Sequence, residues 1–256
     1  MTTQTPPNPQ RFGLARCLAL VRADARSIQR DSLLRWSLIA CLLFFLPILR
    51  WGPPTLNGWL ISEHGFDLSP WFPLIQSSCL LVAPVLVGIV GGLLMVDQRD
   101  EGIATALSVT PLGVDGYLIY RVTLPALAGF FITVAMLGLV NLAPISVTAI
   151  VLCSLCAAPL APLLALTIAL LADNKIQGFA IAKANGVVTA PIIAAWFVAP
   201  PTQWLFLLLP TYLPVKICWL AMDQQNGFWL VPISLLIHGV QLRWLHRRVA
   251  RRQQWA

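Results

Sequence analysis

Charge is what this chain has least of. Asp, Glu, Lys and Arg make up 11% of its 256 residues against 58% hydrophobic ones, and the mean hydropathy of +0.78 is outside the range of a water-soluble domain. From Val122 to Ala172 there is no charged residue at all, a run of 51 positions that is too long for one membrane helix and suits two. The features of a secretory signal are scarce in the first ten residues too: MTTQTPPNPQ is polar and Pro-rich, with neither a basic start nor an early apolar core, and reads as a disordered tip over residues 1–10. The chain has no GxxxxGK[ST] phosphate loop, no HExxH and no paired carboxylates inside an apolar run. Those absences argue against a self-contained enzyme or ATPase and leave no catalytic residue to assign. An ion-coupled transporter is disfavoured by the lack of buried charge and of clear internal repeats. Cys153 and Cys156 read CSLC, yet no His, Asp or Glu stands near to complete a metal site, so the cysteines are read as packing residues and no metal is expected.

What is present predicts an all-α membrane protein with six transmembrane helices, at about 36–51, 70–96, 122–140, 145–171, 181–199 and 228–243. Ahead of them, residues 11–35 form an amphipathic interfacial helix: Leu14, Leu18, Val21, Ala25 and Ile28 follow one face, and Arg22, Arg26 and Arg30 stack on another. The expected division is therefore a tip over 1–10, an interfacial helix over 11–35 and one membrane domain over 36–256. Residues 51–71, with three prolines and three tryptophans, read as an exposed loop. The apolar segment after Val198 is broken by Pro200, Pro201, Pro210 and Pro214 into pieces too short to cross. It reads as re-entrant or interfacial helices packed against the outer mouth of the bundle. Gly88 and Gly92 form a small-xxx-small pair that permits close helix approach, and His238 reads as a hydrogen-bonded structural histidine.

The net charge of +7 sits mostly at the ends of apolar runs, which points to membrane orientation rather than to nucleic acid. On the six-helix reading one side holds Arg11, Arg16, Arg22, Arg26, Arg30, Arg35, Arg99, Arg121, Lys175, Lys183, Arg243, Arg247, Arg248, Arg251 and Arg252, and the other only Arg50 and Lys216. That asymmetry predicts a multi-pass protein of the plasma (inner) membrane with both termini cytoplasmic.

One long polar stretch interrupts the apolar runs, DQRDEGIATALSVTPLGVDGYLIYR from Asp97 to Arg121. Four charges within Asp97–Glu101 place it in water. Asp100 is expected to cap a short helix through Glu101, Ile103, Ala104 and Leu107 that Pro111 ends, and Asp115 to cap the next. Ile103 and Leu107 share a face, so the short helix lies along the membrane surface with an apolar side to offer a partner. A second polar stretch, ADNKIQGFAIAKANG, returns the chain to the same side.

The stretch resembles the E-x-G-T-x-x-x-L-x-x-T-P-L motif of the permease subunits of type 2 ATP-binding cassette (ABC) exporters at Glu101, Gly102, Leu107, Thr110, Pro111, Leu112 and Tyr117, departing from it at Ala104. DNKIQGFAIAKANG is similar to the stretch before that family's fifth span, especially in its drug or fluoroquinolone export subgroup. The resemblance implies that Asp100, Glu101, Gly102, Ile103, Leu107, Thr110, Pro111 and Leu112 couple the chain to a separate nucleotide-binding ATPase subunit. It also implies a second permease, identical or homologous, and ATP and Mg held by the ATPase with no cofactor on this chain. The cargo path would run between the second and fifth spans, where Gln76, Ser77, Ser78, Asn185 and Thr189 are the polar groups available. The expected function is ATP-driven export of an amphipathic or lipophilic compound, whether drug, antibiotic, peptide or lipid. A membrane-embedded enzyme and an immunity permease for a toxin or antibiotic stand as alternatives.

Overall fold

The computed structural model describes residues 41–102, 113–184 and 186–254, together with 21, 22, 24–27, 29, 30, 35, 36 and 39. Among these residues the chain is helical and contains no strand. A π-helical turn, Cys41–Phe45, leads into α1 (Leu46–His64), and a 3-10 turn at Ser69–Trp71 leads into α2 (Phe72–Asp100). There follow α3 (Gly113–Val140), α4 (Val147–Ala157), α5 (Leu160–Leu171), α6 (Lys175–Ala184) and α7 (Gly186–Phe197). A 3-10 segment, Thr202–Leu208, then precedes α8 (Tyr212–Met222) and α9 (Leu230–Gln254). Among the described residues three helical stretches are long and apolar enough to cross a membrane: Ser69–Asp100, Gly116–Val140 and Val147–Leu171. They correspond to the second, third and fourth predicted spans. The third stretch bends at Ala158–Pro159, where proline removes a backbone donor, and resumes as α5.

Several boundaries differ from the sequence reading, among them the start of α3 at Gly113, ahead of Asp115, and the end of α9 at Gln254. The first helix does not end near Trp51 but continues to His64 through Pro53 and Pro54. Just past the prolines the Thr55 hydroxyl donates to the carbonyls of Trp51 and Gly52, at 2.9 Å each, bracing a turn that lacks two of its own N–H groups. The helix stops instead at Gly65, whose φ of +65° is the left-handed conformation that glycine adopts without penalty. Likewise no helix begins at Glu101, because Asp100 is still the last residue of α2. Glu101 closes that helix by donating its N–H to the Asp97 carbonyl, and Gly102 follows at φ +69°. Hydropathy falls at Asp97, but hydrogen bonding carries the helix one turn further.

Packing centres on α2. Its glycines face α5: a Cβ on Gly88 would lie 2.6 Å from the Ala161 carbonyl oxygen, and one on Gly92 would lie 2.8 Å from the Ile168 Cβ. The two helices run parallel at backbone contact, which the small-xxx-small spacing allows. Antiparallel to α2, α3 places Gly129 against the Pro84 backbone and Pro125 against Gly91. Cys79, Cys153, Cys156 and Cys218 are buried together in the larger apolar cluster. The proline-broken segment forms two short helical pieces, and the second, α8, is almost wholly buried against the bundle. Pro214 does not interrupt it, because it falls in the first turn where no intrahelical donor is lost. The non-helical joint between the pieces is satisfied from within: the buried His238 on α9 has Nε2 2.9 Å from the Pro210 carbonyl and Nδ1 2.7 Å from the Ser234 carbonyl.

If helix contact sets the distance between α2 and α5, Gly88→Ala should cost about 1–3 kcal/mol of stability through forced overpacking. Gly91→Ala, whose Cβ would meet only ordinary contacts at 3.5 Å, should be close to neutral. Thermal unfolding of the two variants in detergent measures this, and equal losses would show that Gly88 does not govern the approach.

Candidate functional site

The ends of α2, α5 and α9 and the starts of α3 and α6 gather at one end of the bundle, where Met95, Tyr117, Leu118, Ala169, Leu245 and Val249 share an apolar cluster. Above that cluster lies a polar network, and its centre was not singled out in the sequence. Asp24, in the helical stretch around residues 21–30, is buried, and its carboxylate receives both arms of the Arg121 guanidinium, Nη1 at 2.9 Å and Nη2 at 2.8 Å. The Tyr120 hydroxyl donates to the same carboxylate at 2.7 Å. Gln98, near the end of α2, joins both sides: Nε2 donates to Asp24 at 3.2 Å, and Oε1 accepts from Arg121 at 2.6 Å and from the Tyr117 hydroxyl at 2.8 Å. The Arg121 guanidinium also lies 5.2 Å from the Tyr117 ring centre and 5.4 Å from that of Tyr120. Arg22, Arg26 and Arg30 remain exposed, as their stacking suggested, while Asp24 turns inward beside the half-buried Val21.

Two further contacts lock the same end. Arg99 donates to the Ala169 and Ala172 carbonyls, at 3.3 and 2.7 Å, filling acceptors left open at the C-terminus of α5, where a cation also suits the helix dipole. Lys175, at the start of α6, meets Asp97 at 2.8 Å, so the second polar stretch does return to the first. Asn174 begins α6 by accepting the Gln177 N–H at 3.0 Å, and the Gln177 side chain accepts the Asp173 N–H at 2.9 Å, a reciprocal cap written in DNKIQ.

Energetically these contacts are unequal. The Asp97–Lys175 pair is about one-third exposed and contributes at most about 1 kcal/mol. The Asp24–Arg121 pair is dry, with side-chain exposures of 6% and 3%, so its attraction is largely offset by the cost of removing both charges from water. What such a pair supplies is register, because an unpaired charge there would cost several kcal/mol and only one alignment of the elements avoids it.

Between these anchors lies the sequence-predicted coupling stretch. Asp100, Glu101 and Gly102 are described: the two acids are exposed at the carbonyl end of α2. Ile103, Leu107, Thr110, Pro111 and Leu112 lie outside the described residues, as does the expected helix through them. Asp97–Arg99 fix the chain immediately before the stretch, and Tyr117, Tyr120 and Arg121 fix it immediately after.

Of the expected cargo-path residues, Gln76, Ser77 and Ser78 are described with their side chains. Gln76 is fully buried near the opposite end, its Oε1 accepting the N–H groups of Leu142 and Ala143 at 2.7 and 2.6 Å, while its Nε2 has no hydrogen-bond partner. Ser77 accepts from the Trp219 indole at 2.9 Å and donates to the Leu74 carbonyl. Ser78 is half-buried and bonded to the Ile75 carbonyl. Asn185 lies outside the described residues, and Thr189 is placed in α7 by its backbone alone.

A family model described as "Fluoroquinolones export permease protein Rv2686c-like" matches residues 24–246. Two relatives from Mycobacterium tuberculosis, the fluoroquinolones export permease proteins MT2760 (strain CDC 1551 / Oshkosh) and Rv2686c (strain ATCC 25618 / H37Rv), are each 29% identical to this chain over 230 residues, 89% of this chain and 90% of theirs. No solved structure matches the chain.

Because the buried pair is worth more as a pair than as its halves, Asp24→Asn and Arg121→Gln should each destabilise the protein by about 3–5 kcal/mol, and the double variant by clearly less than their sum. Unfolding of the four proteins of this cycle in detergent gives the coupling directly, and additive losses would mean that the two charges do not sense one another.

Proposed function

The chain belongs to the Rv2686c-like family of fluoroquinolones export permease proteins, and from that premise we propose that it is the permease subunit of an ATP-driven exporter of the ABC type. Its cargo on this reading is an amphipathic or lipophilic compound, with a fluoroquinolone-like drug the first candidate from the names of its relatives. Energy comes from a separate ATPase subunit that holds ATP and Mg, and a second permease completes the membrane part. The six-span topology adds α1, α7 and α9 to the three long apolar helices, with both termini on the cytoplasmic side of the plasma (inner) membrane. Nearly charge-free walls suit such cargo. In the proposed path along α2 and α7, Ser78, Asn185 and Thr189 offer polar contacts, while Gln76 and Ser77 brace the wall through bonds they already make.

The observation that carries the reading is the fixing of both flanks of residues 103–112. A short helix is unstable alone, and a partner that pushes on it moves the bundle only if the push is not absorbed by slack connections. Here Gln98 and Arg99 on one flank, and Arg121 on the other, tie the stretch to α3, α5 and the segment around Asp24. The end of α2 adds a second argument. Asp100 and Glu101 stand where the dipole of α2 disfavours negative charge by about 0.3–1 kcal/mol, so the stability of α2 does not account for them. A basic group on the ATPase would.

Two measurements test this. Leu107→Asp should abolish co-purification of the ATPase subunit, while Glu101→Gln should leave the complex assembled but uncouple ATP hydrolysis from drug export. Normal transport by both would make the stretch a passive connector. For topology, single cysteines at the exposed Glu63 and Gln225, in a cysteine-free background, should label from outside intact cells, and one at Asp100 only after the membrane is opened. Protection at Glu63 or Gln225 would contradict six spans.

A further inference from the structure

An open groove of about 450 Å³ runs between α5 and α9, walled by Leu163, Leu170, Leu171, Val240, Trp244 and Leu245. The Thr167 hydroxyl in this wall is spent on the Leu163 carbonyl at 2.7 Å, so the surface it presents is apolar. Leu171, Val240 and Trp244 are each more than half exposed, so among the described residues nothing fills the space. The groove starts near Pro210 and follows the two parallel helices toward the end where Leu245 and Val249 meet Tyr117 and Leu118. At that end the α9 face changes character. Val240, Gln241, Trp244, Leu245 and Arg248 follow helical spacing, and the Arg248 guanidinium lies 4.7 Å from the Trp244 ring centre. Arg243, Arg247 and Arg251 stand exposed around it, and α9 contains no Asp or Glu to neutralise them.

We propose that this groove is a binding site for an anionic glycerophospholipid, with an acyl chain along α5 and α9 and the phosphate against Arg248 at its mouth. A groove of this volume with an apolar floor and one cationic end matches the two halves of such a lipid. Charge decides between this occupant and the alternatives. A second copy of the chain, applied to the same face by two-fold symmetry, would bring the two arginine clusters together. A zwitterionic lipid would use the apolar floor but gain little from the cations. The proposal requires only that these helices lie in a bilayer and is independent of the export reading.

The test uses the full-length protein, stripped of lipid in mild detergent, and native mass spectrometry with added phosphatidylglycerol or phosphatidylcholine. Wild type should retain phosphatidylglycerol in preference to phosphatidylcholine. Arg248→Gln, at an exposed position that leaves the fold intact, should weaken that retention about fivefold, the equivalent of about 1 kcal/mol per basic group, and Arg248→Lys should keep most of it. Leu171→Trp, which fills the groove, should lower retention of the anionic lipid with the arginines in place. Equal retention of both lipids by wild type, or unchanged retention in both Arg248→Gln and Leu171→Trp, would overturn the proposal. So would a disulfide-linked dimer formed readily through Trp244→Cys in membranes, because that would place a second copy in the groove.

Discussion

A carboxylate and a guanidinium that share almost no water fix the arrangement of one end of this protein. Asp24 and Arg121 are distant in sequence, each is costly to bury alone, and Gln98 binds both. The segment around Asp24, the end of α2 and the start of α3 therefore move as a unit or pay a large penalty. This constraint makes the neighbouring contacts useful. Arg99 on the α5 carbonyls and Lys175 on Asp97 are weak individually, but they extend the same frame to α5 and α6.

Below the frame, glycine takes over from charge. Gly88 and Gly92 bring α2 to backbone contact with α5, and Gly129 and Gly91 allow the two prolines of the α2–α3 pair to seat against the opposite helix. With no apolar driving force between helices in lipid, such fit and a few hydrogen bonds hold a bundle together. α2 thus joins the polar end to Gln76 and Ser77, which grip the turn after α3 and the Trp219 indole of α8.

Much of this architecture could be read in the sequence, because lipid tolerates so little. The charge-free intervals located the second to fourth apolar helices, the spacing of Gly88 and Gly92 anticipated their contact with a neighbour, and His238 proved to be a bonded histidine. Local rules failed where a residue's partner is distant. Pro53–Pro54 reads as a break, yet the helix continues to a glycine stop. Asp100 has the chemistry of a cap, yet α2 runs through it. Asp24 was overshadowed by the arginine stack at 22, 26 and 30, although it sits three residues after Val21 and four before Ile28, an acid on the apolar stripe. Arg121, at the edge of the longest charge-free run, was the matching signal. Two opposite charges where only apolar residues belong point to each other, but the sequence alone does not supply their proximity.

Asp24 fastens the segment around it to the end of α2, and a distance measurement tests this most directly. Spin labels on cysteines at Arg22 and Asp100, both exposed, report the separation of the two elements by double electron–electron resonance in reconstituted membranes. The account predicts one narrow distance population in the native background and a broad one when Asp24→Asn is added. The same narrow distribution in both proteins would contradict it.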